Sequence, residues 1–265
     1  MTDKEKQNSD IPKTHPRYQS LKYRHKIIEG LKSIVVTEAG LIAHGRGECF
    51  DYILGEITRE PAKNAIKAAV AMLLLAKNPV ISVNGNVAAL VPNELVAFAN
   101  EVNAPLEINL FYKKEGRIEA IKKVLEQSGA TDIRGIYTEK IVEIEGLDSN
   151  RRLVESIAEA DVIMVPLEDG DRTEALKKLG KKVIAVDLNP ISRTAIWADI
   201  TIVDNIIRAI PEMISISKEL KLLNKKKLNE IVNDFDNRTN IQDMLDLIIK
   251  YINNQKNDAF KILNQ

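Results

Sequence analysis

The sequence predicts an open α/β sheet, mostly parallel, with helices on both faces and a helical extension at its C-terminal end. Two observations support this fold class. Short apolar runs rich in β-branched residues alternate with segments of helical periodicity, as they do when helices cross over between parallel strands. Most of the runs are continuously apolar, which is typical of strands buried on both faces. The runs are Val80–Val83, Leu106–Tyr112, Thr131–Tyr137, Val162–Val165, Val183–Val186 and Ile200–Val203.

Helical periodicity fills the spaces between these runs. Pro61 suits the first turn of an alanine-rich segment, and Gly180 stands where a helix C-terminal glycine belongs. Pro211 is expected to break or kink the helix that contains it. The predicted helices are Tyr18–Ile34, Glu60–Ala76, Pro92–Val102, Ile118–Gln127, Thr173–Leu179 and Ile206–Leu223.

The chain divides into three predicted regions. Residues 1–10 form a polar tail that we expect to be disordered, and residues 11–222 form the α/β domain. Residues 223–265 form an extension of two amphipathic helices, which pack either on the domain or on a second subunit. Residues 140–156 have no clear periodicity and read as a linker.

Composition narrows the class of protein. Among 265 residues, Lys plus Arg equals Asp plus Glu, so no global field attracts nucleic acid or acidic membranes. No apolar run approaches the roughly 20 residues of a membrane helix. The polar start does not resemble a signal peptide, and a single cysteine, Cys49, fits a reducing compartment. We therefore expect a soluble cytoplasmic protein with neither a nucleic-acid nor a membrane partner.

Polar segments follow three of the predicted strands, where an open α/β sheet binds its ligands. They are Leu167–Arg172, with three acids, a Gly and an Arg, then Asp187–Thr194, and Asp204–Asn205. Each segment alone could be a solvated turn with a helix cap. Three in succession favour one composite site.

Three further polar segments lie upstream. Arg17 and Arg24 flank the start of a helix, which is either an anion site or a surface arm with solvated arginines. His44–Glu48 is predicted to be a loop in which two glycines let the backbone approach a ligand beside Arg46. Asn84-Gly85-Asn86 is predicted to be a turn, whose amides could hold a carboxylate or hydroxyl or simply close the turn.

Several chemistries find little support. His44 could act as a general base, but a lone histidine is more often a hydrogen-bonded structural residue. Cys49 lacks an evident partner for nucleophilic catalysis. No strand is followed by G-x-G-x-x-G, which disfavours a nicotinamide or flavin cofactor. No C-x-x-C or H-x-x-x-H spacing indicates a tightly held metal.

Six segments together resemble archaeal phosphopantothenate synthetase, also called 4-phosphopantoate–β-alanine ligase, over about residues 11–222. They are HPRYQSLKYR, GLIAHGRGECFDY, PVISVNGNVAALVP, EINLFY, VPLEDGDRTEAL and VIAVDLNPISRTA. The resemblance implies a Rossmann-like homodimer of coenzyme A biosynthesis. Such an enzyme joins 4-phosphopantoate to β-alanine with ATP and releases AMP and pyrophosphate.

The resemblance also implies which residues bind ATP. They are Arg24, Arg46, Asp187, Leu188, Asn189, Arg193, Thr194, Asn205 and Ile206. All of these positions match the family's motifs.

The reaction implied needs an acyl adenylate, formed when a carboxylate attacks the α-phosphate of ATP. Both reactants are anions, so several arginines and Mg²⁺ shared with the nucleotide are expected. We infer catalytic roles for Arg46, Arg172 and Asn84, and assign Asp187 to the ribose hydroxyls. The inferred substrate residues include Arg17 as a further cation, Asp169 and Asp171 for Mg²⁺ or the β-alanine ammonium, and, for phosphopantoate, Asn84, Gly85 and Asn86.

Two other functions remain open at this stage. A nucleotide-binding regulatory module would share the sheet and the Asp187 loop, but it would not explain Arg- and Asn-bearing segments spread along the chain. An ATP-dependent ligase or kinase for another phosphorylated acid is compatible with the fold. Reaction products separate the three: a ligase of this type gives AMP and pyrophosphate, a kinase gives ADP, and a binding module gives neither.

Overall fold

The computed structural model describes residues 12–15, 17–110, 114–136, 141–142, 153–258 and 261. The predicted disordered tail, residues 1–10, lies outside the described residues, as do Tyr112, Tyr137 and most of the predicted linker.

Helices and strands alternate along the described chain. Three helices precede the first strand: α1 (Tyr18–Lys32), α2 (Glu38–Leu54) and α3 (Glu60–Leu75). The first half of the sheet region contains β1 (Pro79–Val83), α4 (Gly85–Leu90), α5 (Pro92–Val102), β2 (Leu106–Ile108), α6 (Arg117–Gln127) and β3 (Ile133–Arg134). Short elements follow: β4 (Ile141–Val142), β5 (Leu153–Val154) and α7 (Glu155–Glu159).

The second half of the sheet region and the C-terminal helices complete the fold. The sheet continues with β6 (Val162–Pro166), α8 (Gly170–Lys178), β7 (Lys182–Val186), α9 (Arg193–Trp197) and β8 (Ile200–Ile202). The last helices are α10 (Ile206–Leu220), α11 (Lys225–Asn233) and α12 (Asn237–Asp258).

Six of the described strands form one sheet in the order β3-β2-β1-β6-β7-β8, and every neighbouring pair is parallel. From the central pair β1 and β6 the chain therefore builds outward in opposite directions. A ligand crevice forms at such a switch point, outside the carboxyl ends of the strands. The predicted open, mostly parallel α/β sheet is confirmed, and it is Rossmann-like in strand order.

Both faces of the sheet are covered by apolar side chains. Along β6, Val162 and Met164 belong to the larger core cluster, whereas Ile163 and Val165 belong to a second cluster on the other face. Successive side chains of a strand point to opposite faces, so this alternation places helices on both sides. The alanine-rich helix α3 supplies much of the larger cluster, because its small side chains let it lie close to its neighbours.

The C-terminal helices pack on the domain itself. Both α11 and α12 contact α3, and α12 also contacts α2 and β8. Asn237 accepts a hydrogen bond from the backbone N–H of Thr201 at 2.8 Å, and Asn240 donates to the carbonyl of Thr201 at 2.9 Å. These two amides take the place of a neighbouring strand at the edge strand β8, which would otherwise expose unpaired backbone groups.

The structure corrects four local predictions. His44–Glu48 is not a loop: it lies in the middle of α2. Asn84-Gly85-Asn86 is not a free turn, because helix α4 begins directly at Gly85. Helix α10 continues through Pro211, so of the two predicted outcomes, a break or a kink, the break is wrong. The strands predicted at Leu106–Tyr112 and Thr131–Tyr137 are shorter, at Leu106–Ile108 and Ile133–Arg134.

The helix α2 forms despite its glycines because both of its ends are well capped. The hydroxyl of Thr37 accepts a hydrogen bond from the N–H of Gly40, and Gly55 ends the helix in the left-handed conformation. Each interior glycine costs about 1 kcal/mol relative to alanine, which caps and packing can offset. None of the helices in the described part of the chain combines the length and the apolar character needed to cross a membrane.

Candidate functional site

Asn84 joins the carboxyl ends of the two central strands. Its side-chain oxygen accepts a hydrogen bond from the N–H of Val87 at 3.1 Å and caps helix α4. Its side-chain nitrogen donates to the carbonyls of Pro166 and Leu167, both at 3.0 Å. One amide therefore bridges β1 and the segment after β6 at the switch point of the sheet.

The segment after β6 is held in an uncommon conformation. Leu167 has φ = 53°, in the left-handed region that non-glycine residues rarely adopt. The hydroxyl of Thr194 donates to the carbonyl of Glu168 at 2.9 Å from the opposite side. Such strain persists only where the surroundings over-determine the backbone, and it concentrates at functional sites. Asn84 and Thr194 together supply that restraint.

Arg172 lies beneath this segment, not in solvent. Its side chain is 2% exposed and donates to the side-chain oxygen of Asn109 at 3.1 Å. It also lies 3.4 Å from a carboxylate oxygen of Glu168. Burial raises the pKa of Glu168, and the charge of Arg172 partly opposes that shift. The predicted catalytic arginine therefore belongs to a buried charge network.

The network continues into the sheet through Glu107. This side chain accepts hydrogen bonds from Asn109 at 3.2 Å and from the N–H of Ile157 at 3.1 Å. Burial raises the pKa of Glu107, although those hydrogen bonds lower it in part. Arg172, Asn109 and Glu107 thus connect the end of β6 to β2 below the crevice.

Asp187 follows β7 and organises the next loop. Its carboxylate accepts hydrogen bonds from the hydroxyl of Ser192 and from the N–H of Asn189, the latter at 2.9 Å. Burial raises the pKa of Asp187, while these hydrogen bonds and the charge of Arg46 lower it. The hydroxyl of Ser192 in turn accepts from the N–H of Ala195 and caps α9.

Helix α2 brings Arg46 to this loop. A Cβ added to Gly47 would lie 3.5 Å from Leu188, so the helix passes close to the loop after β7. Arg46 is exposed, and no hydrogen bond to its side chain is found within the described residues. The sequence predicted that a loop would approach the ligand site at this point, and helix α2 does so instead. It leaves the guanidinium of Arg46 available to a ligand near Asp187.

Arg193 closes the other side of the Asp187 loop. It pairs with Asp171 and Glu174 on α8, and its side chain is exposed. A Cβ at Gly170 would overlap the Cβ of Arg193, so helices α8 and α9 meet there without space for a larger residue. Asp169 begins α8 as its cap and accepts a hydrogen bond from the N–H of Arg172 at 2.9 Å.

A cavity of about 380 Å³ lies between α1, α2 and the start of α10. Arg24 on α1 pairs with Glu48 on α2, with Nε 2.9 Å from both carboxylate oxygens. Arg17 donates to the hydroxyl of Tyr52 at the same wall. His44, one turn before Glu48 on α2, also lines this cavity.

The third wall of this cavity carries a buried ion-pair cluster. Arg208 on α10 donates to Asp51 on α2, at 2.6 and 3.1 Å, and pairs with Asp204 at 2.5 Å. The side-chain nitrogen of Asn205 donates to Asp51 at 2.7 Å, and Thr58 donates to Asp204 at 2.7 Å. The end of β8 and helix α2 are thereby tied together.

Gly85 and Asn86 are enclosed by the N-terminal helices. A Cβ at Gly85 would overlap the carbonyl oxygen of Val35, which makes a larger residue impossible without movement. The side chain of Asn86 donates to the carbonyl of Gly40 at 2.9 Å. The buried guanidinium of Arg117 donates to Val35 at 3.1 Å and lies next to Gly85. A cation therefore stands beside the start of α4.

The predicted site residues fall into connected groups. Arg46, Asp187 and Leu188 meet at the end of β7, beside Asn189, Arg193 and Thr194. Arg17 and Asn205 line the α1–α2–α10 cavity, and Arg24 pairs with Glu48 in its wall. The buried Ile206 follows Asn205. Asn84 and the acids Asp169 and Asp171 lie along the end of β6, and Gly85 and Asn86 pack against the helices before β1.

Several members of these groups were not predicted from the sequence. They are Glu48, Asp51, Tyr52, Arg117, Glu107, Asn109 and Arg208. Glu48 and Asp51 follow Arg46 on the same helix. If α2 is predicted as a helix, its periodicity places both residues on the side of His44. Arg208 pairs with a residue far away in sequence, so no local pattern indicates it.

Within the described residues, no three His, Cys, Asp or Glu side chains are placed so that they could together hold a metal ion. Mg²⁺ in nucleotide sites is commonly held by one or two carboxylates together with phosphates and water. Two carboxylates stand at the start of α8: Asp169 caps the helix, and Asp171 pairs with Arg193.

Comparison with known proteins gives a consistent result. A family model described as phosphopantothenate/pantothenate synthetase matches residues 61–251. A protein of Thermococcus onnurineus named 4-phosphopantoate--beta-alanine ligase is 55% identical over 238 residues, which cover 89% of this chain and 90% of that protein. Proteins of the same name in Thermococcus kodakarensis and Methanosarcina mazei are 54% and 46% identical, with coverage of 89% and 92% of this chain and 91% and 96% of theirs.

Proposed function

This chain belongs to the phosphopantothenate/pantothenate synthetase family, and from that premise we propose that it is a 4-phosphopantoate–β-alanine ligase. It would use ATP to join 4-phosphopantoate to β-alanine, giving 4′-phosphopantothenate, AMP and pyrophosphate for coenzyme A biosynthesis. The observation that carries this proposal is 55% identity to a ligase of that name over 89% of the chain.

The geometry supports ATP as the nucleotide. The exposed Arg46 stands beside the loop after β7, where Asp187 and the backbone of Leu188 and Asn189 offer contacts for a ribose and a base. Arg193 and Arg24 each hold acids of the protein, and a guanidinium with five donors can share a phosphate with such a partner. Thr194, Asn205 and Ile206 complete the proposed ATP set.

The acid substrate is proposed to lie at the switch point. Arg117 and the start of α4 at Gly85 supply positive potential there. The side chains of Asn84 and Asn86 are both engaged by protein carbonyls, so we assign them to shaping this subsite. Arg17, at the opening of the α1–α2–α10 cavity, is proposed as a further substrate cation.

The proposed reaction has two steps. The carboxylate of 4-phosphopantoate attacks the α-phosphate of ATP, pyrophosphate leaves and an acyl adenylate forms. The amine of β-alanine then attacks the acyl carbon and AMP leaves. Arginines aimed at the phosphates lower the repulsion between two anions in the first step, and Mg²⁺ contributes charge neutralisation when bound. Asp169 and Asp171 are the residues we propose for Mg²⁺.

Product analysis tests this proposal. Purified protein is incubated with ATP, Mg²⁺, 4-phosphopantoate and β-alanine, and each component is omitted in turn. We expect AMP and pyrophosphate in equal amounts, and only when the phosphorylated acid is present. ADP would indicate a kinase, and no nucleotide product with any acid would indicate the regulatory module.

We also propose that the protein is a cytoplasmic homodimer. After β7, an exposed apolar group comprises Ile191, Ile196 and Trp197, which are 62%, 63% and 38% exposed. Contiguous exposed apolar surface is typical of subunit contacts, and these three side chains belong to one short segment of the chain. Light scattering of the purified protein would give twice the chain mass of 29.7 kDa.

A further inference from the structure

His44 is a half-buried histidine that lines the α1–α2–α10 cavity and has one unpaired ring nitrogen. Its Nε2 is shielded from solvent and, among the described residues, has no hydrogen-bond partner. Buried polar atoms are satisfied in most native proteins, so an exception of this kind calls for a ligand, a water or a catalytic role. Helix α2 positions the ring, and the caps at Thr37 and Gly55 hold that helix in place.

The cavity can admit a small amino acid. Its volume of about 380 Å³ greatly exceeds the volume of β-alanine, which has six heavy atoms, and its walls carry both signs of charge. Arg17 stands at its opening with an exposed side chain, while Glu48 lies one helical turn from His44. An incoming zwitterion therefore meets a cation for its carboxylate and an acid for its ammonium. Asn205, which we assign to ATP, borders the same space.

We propose that His44 is the general base that accepts the proton of the attacking amine in the second step of the ligase reaction. This inference rests on the proposed function. It adds a catalytic residue to a reaction for which the other site residues supply only charge and position.

The proton balance of the step is simple. β-Alanine enters as the zwitterion, and its ammonium then loses one proton to bulk water, which gives the free amine. Its nitrogen lone pair forms the bond to the acyl carbon, the bond from that carbon to the phosphate oxygen breaks, and its electron pair leaves with AMP. The second proton of the nitrogen passes to Nε2 of His44 and from there to water.

Burial and the charges around His44 favour the neutral imidazole, which can accept that proton. Burial lowers the pKa of His44, the nearby charge of Glu48 opposes this shift, and the charge of Arg24 adds to it. The other charged or titratable groups facing the cavity are Arg17 just before α1, Tyr23 on α1, Asp51, Tyr52 and Glu56 near the end of α2, and Arg208 on α10. The ring is therefore neutral at pH 7 and available as a base.

Three reaction rates, measured on the full-length protein, separate a general-base role of His44 from a role in adenylation or in substrate binding. Exchange of pyrophosphate into ATP with 4-phosphopantoate alone reports adenylation. Hydroxamate formation, with hydroxylamine in place of β-alanine, reports capture of the adenylate by an amine that is neutral at pH 7 and strongly nucleophilic without a base. Amide formation with β-alanine requires the base.

His44→Gln should lower amide formation by about 10²–10⁴-fold, the usual contribution of a general base, and leave exchange and hydroxamate formation within threefold of wild type. His25→Gln is the matched control. Its Nδ1 is also buried and unpartnered, but the residue lines a different groove, between α1 and α4. All three rates should be unchanged in that variant.

The wild-type protein supplies an independent check. Because the base must be deprotonated, the rate constant for amide formation, calculated per free amine of β-alanine, should fall as pH decreases through the lowered pKa of His44, below 6.5, and this fall should be absent in His44→Gln. Equal loss of all three rates in a folded His44→Gln variant, or amide formation within fivefold of wild type, would overturn the role of His44. Absence of exchange in the wild type would instead overturn the adenylation reaction itself.

Discussion

At the scale of single residues, the arginines of the candidate site differ in their burial and in whether protein groups already bind their side chains. Arg172 is buried against Asn109 and Glu168, and Arg193 is held by two acids. Arg46 is exposed and has no hydrogen bond within the described residues. An arginine with no hydrogen bond to the described residues, placed beside a buried carboxylate, is the residue whose removal should affect ligand binding with least effect on the fold.

Arg46→Ala should therefore reduce kcat/KM by about 10²–10³-fold, the range observed when one preorganised donor to a developing charge is removed. The circular dichroism spectrum and the midpoint of urea unfolding should stay at wild-type values. Arg238→Ala removes an exposed arginine on α12 and is the control for loss of surface charge. Wild-type turnover by Arg46→Ala would exclude this arginine from the site.

At the scale of elements, helix caps perform two different tasks in this fold. The side chain of Asn224 caps α11 by accepting a hydrogen bond from the N–H of Lys227, and it makes no other hydrogen bond among the described residues. Asn84 caps α4 and also binds two carbonyls of the segment after β6, where Leu167 has a left-handed backbone. The second cap therefore restrains a strained segment at the switch point.

Asn84→Ala should cost more than Asn224→Ala. Loss of a cap alone typically costs about 1 kcal/mol, and loss of the partner of buried carbonyls adds about 1–3 kcal/mol. Unfolding in urea measures both variants. Only Asn84→Ala should also raise KM, because the segment it restrains borders the site. Equal losses of stability in the two variants would reduce Asn84 to an ordinary cap.

Much of this element level could be predicted from the sequence, and the exceptions have physical causes. Strands β1, β6, β7 and β8 were found because β-branched runs bounded by turn residues are a local pattern. The glycines around Arg46 favour a loop because their helix propensity is low, but capping and packing decide marginal helices. The Asn-Gly pair at Asn84 suggested a turn, and it is instead a helix start.

At the scale of the whole molecule, the C-terminal helix α12 is part of the main domain. Met244 and Ile248 form one cluster with Leu54, Leu188 and Val203, so α12 packs against α2 and against the loop that we assign to ATP. Asn237 and Asn240 meanwhile pair with the edge strand β8. The extension and the sheet should therefore unfold together.

Met244→Ala should lower the free energy of unfolding by about 2–5 kcal/mol, the range for a large side chain deleted from a core, in a single cooperative transition. Met244 is fully buried, whereas Ile249 on the same helix is 57% exposed. Ile249→Ala should change stability by less than about 0.5 kcal/mol. A separate early transition of α12, seen by fluorescence and circular dichroism at different urea concentrations, would contradict a single folding unit.

The fold class, most of the strands and the family are predictable from the sequence alone, because each depends on local periodicity or on motifs of a few adjacent residues. The sequence also predicted that polar residues gather at the strand ends. The tertiary structure decided which of those residues are available. It buried Arg172, engaged Asn84, exposed Arg46 and brought Arg208 to Asp51, 157 positions away. Long-range packing and desolvation control these outcomes, and neither is encoded in the spacing of neighbouring residues.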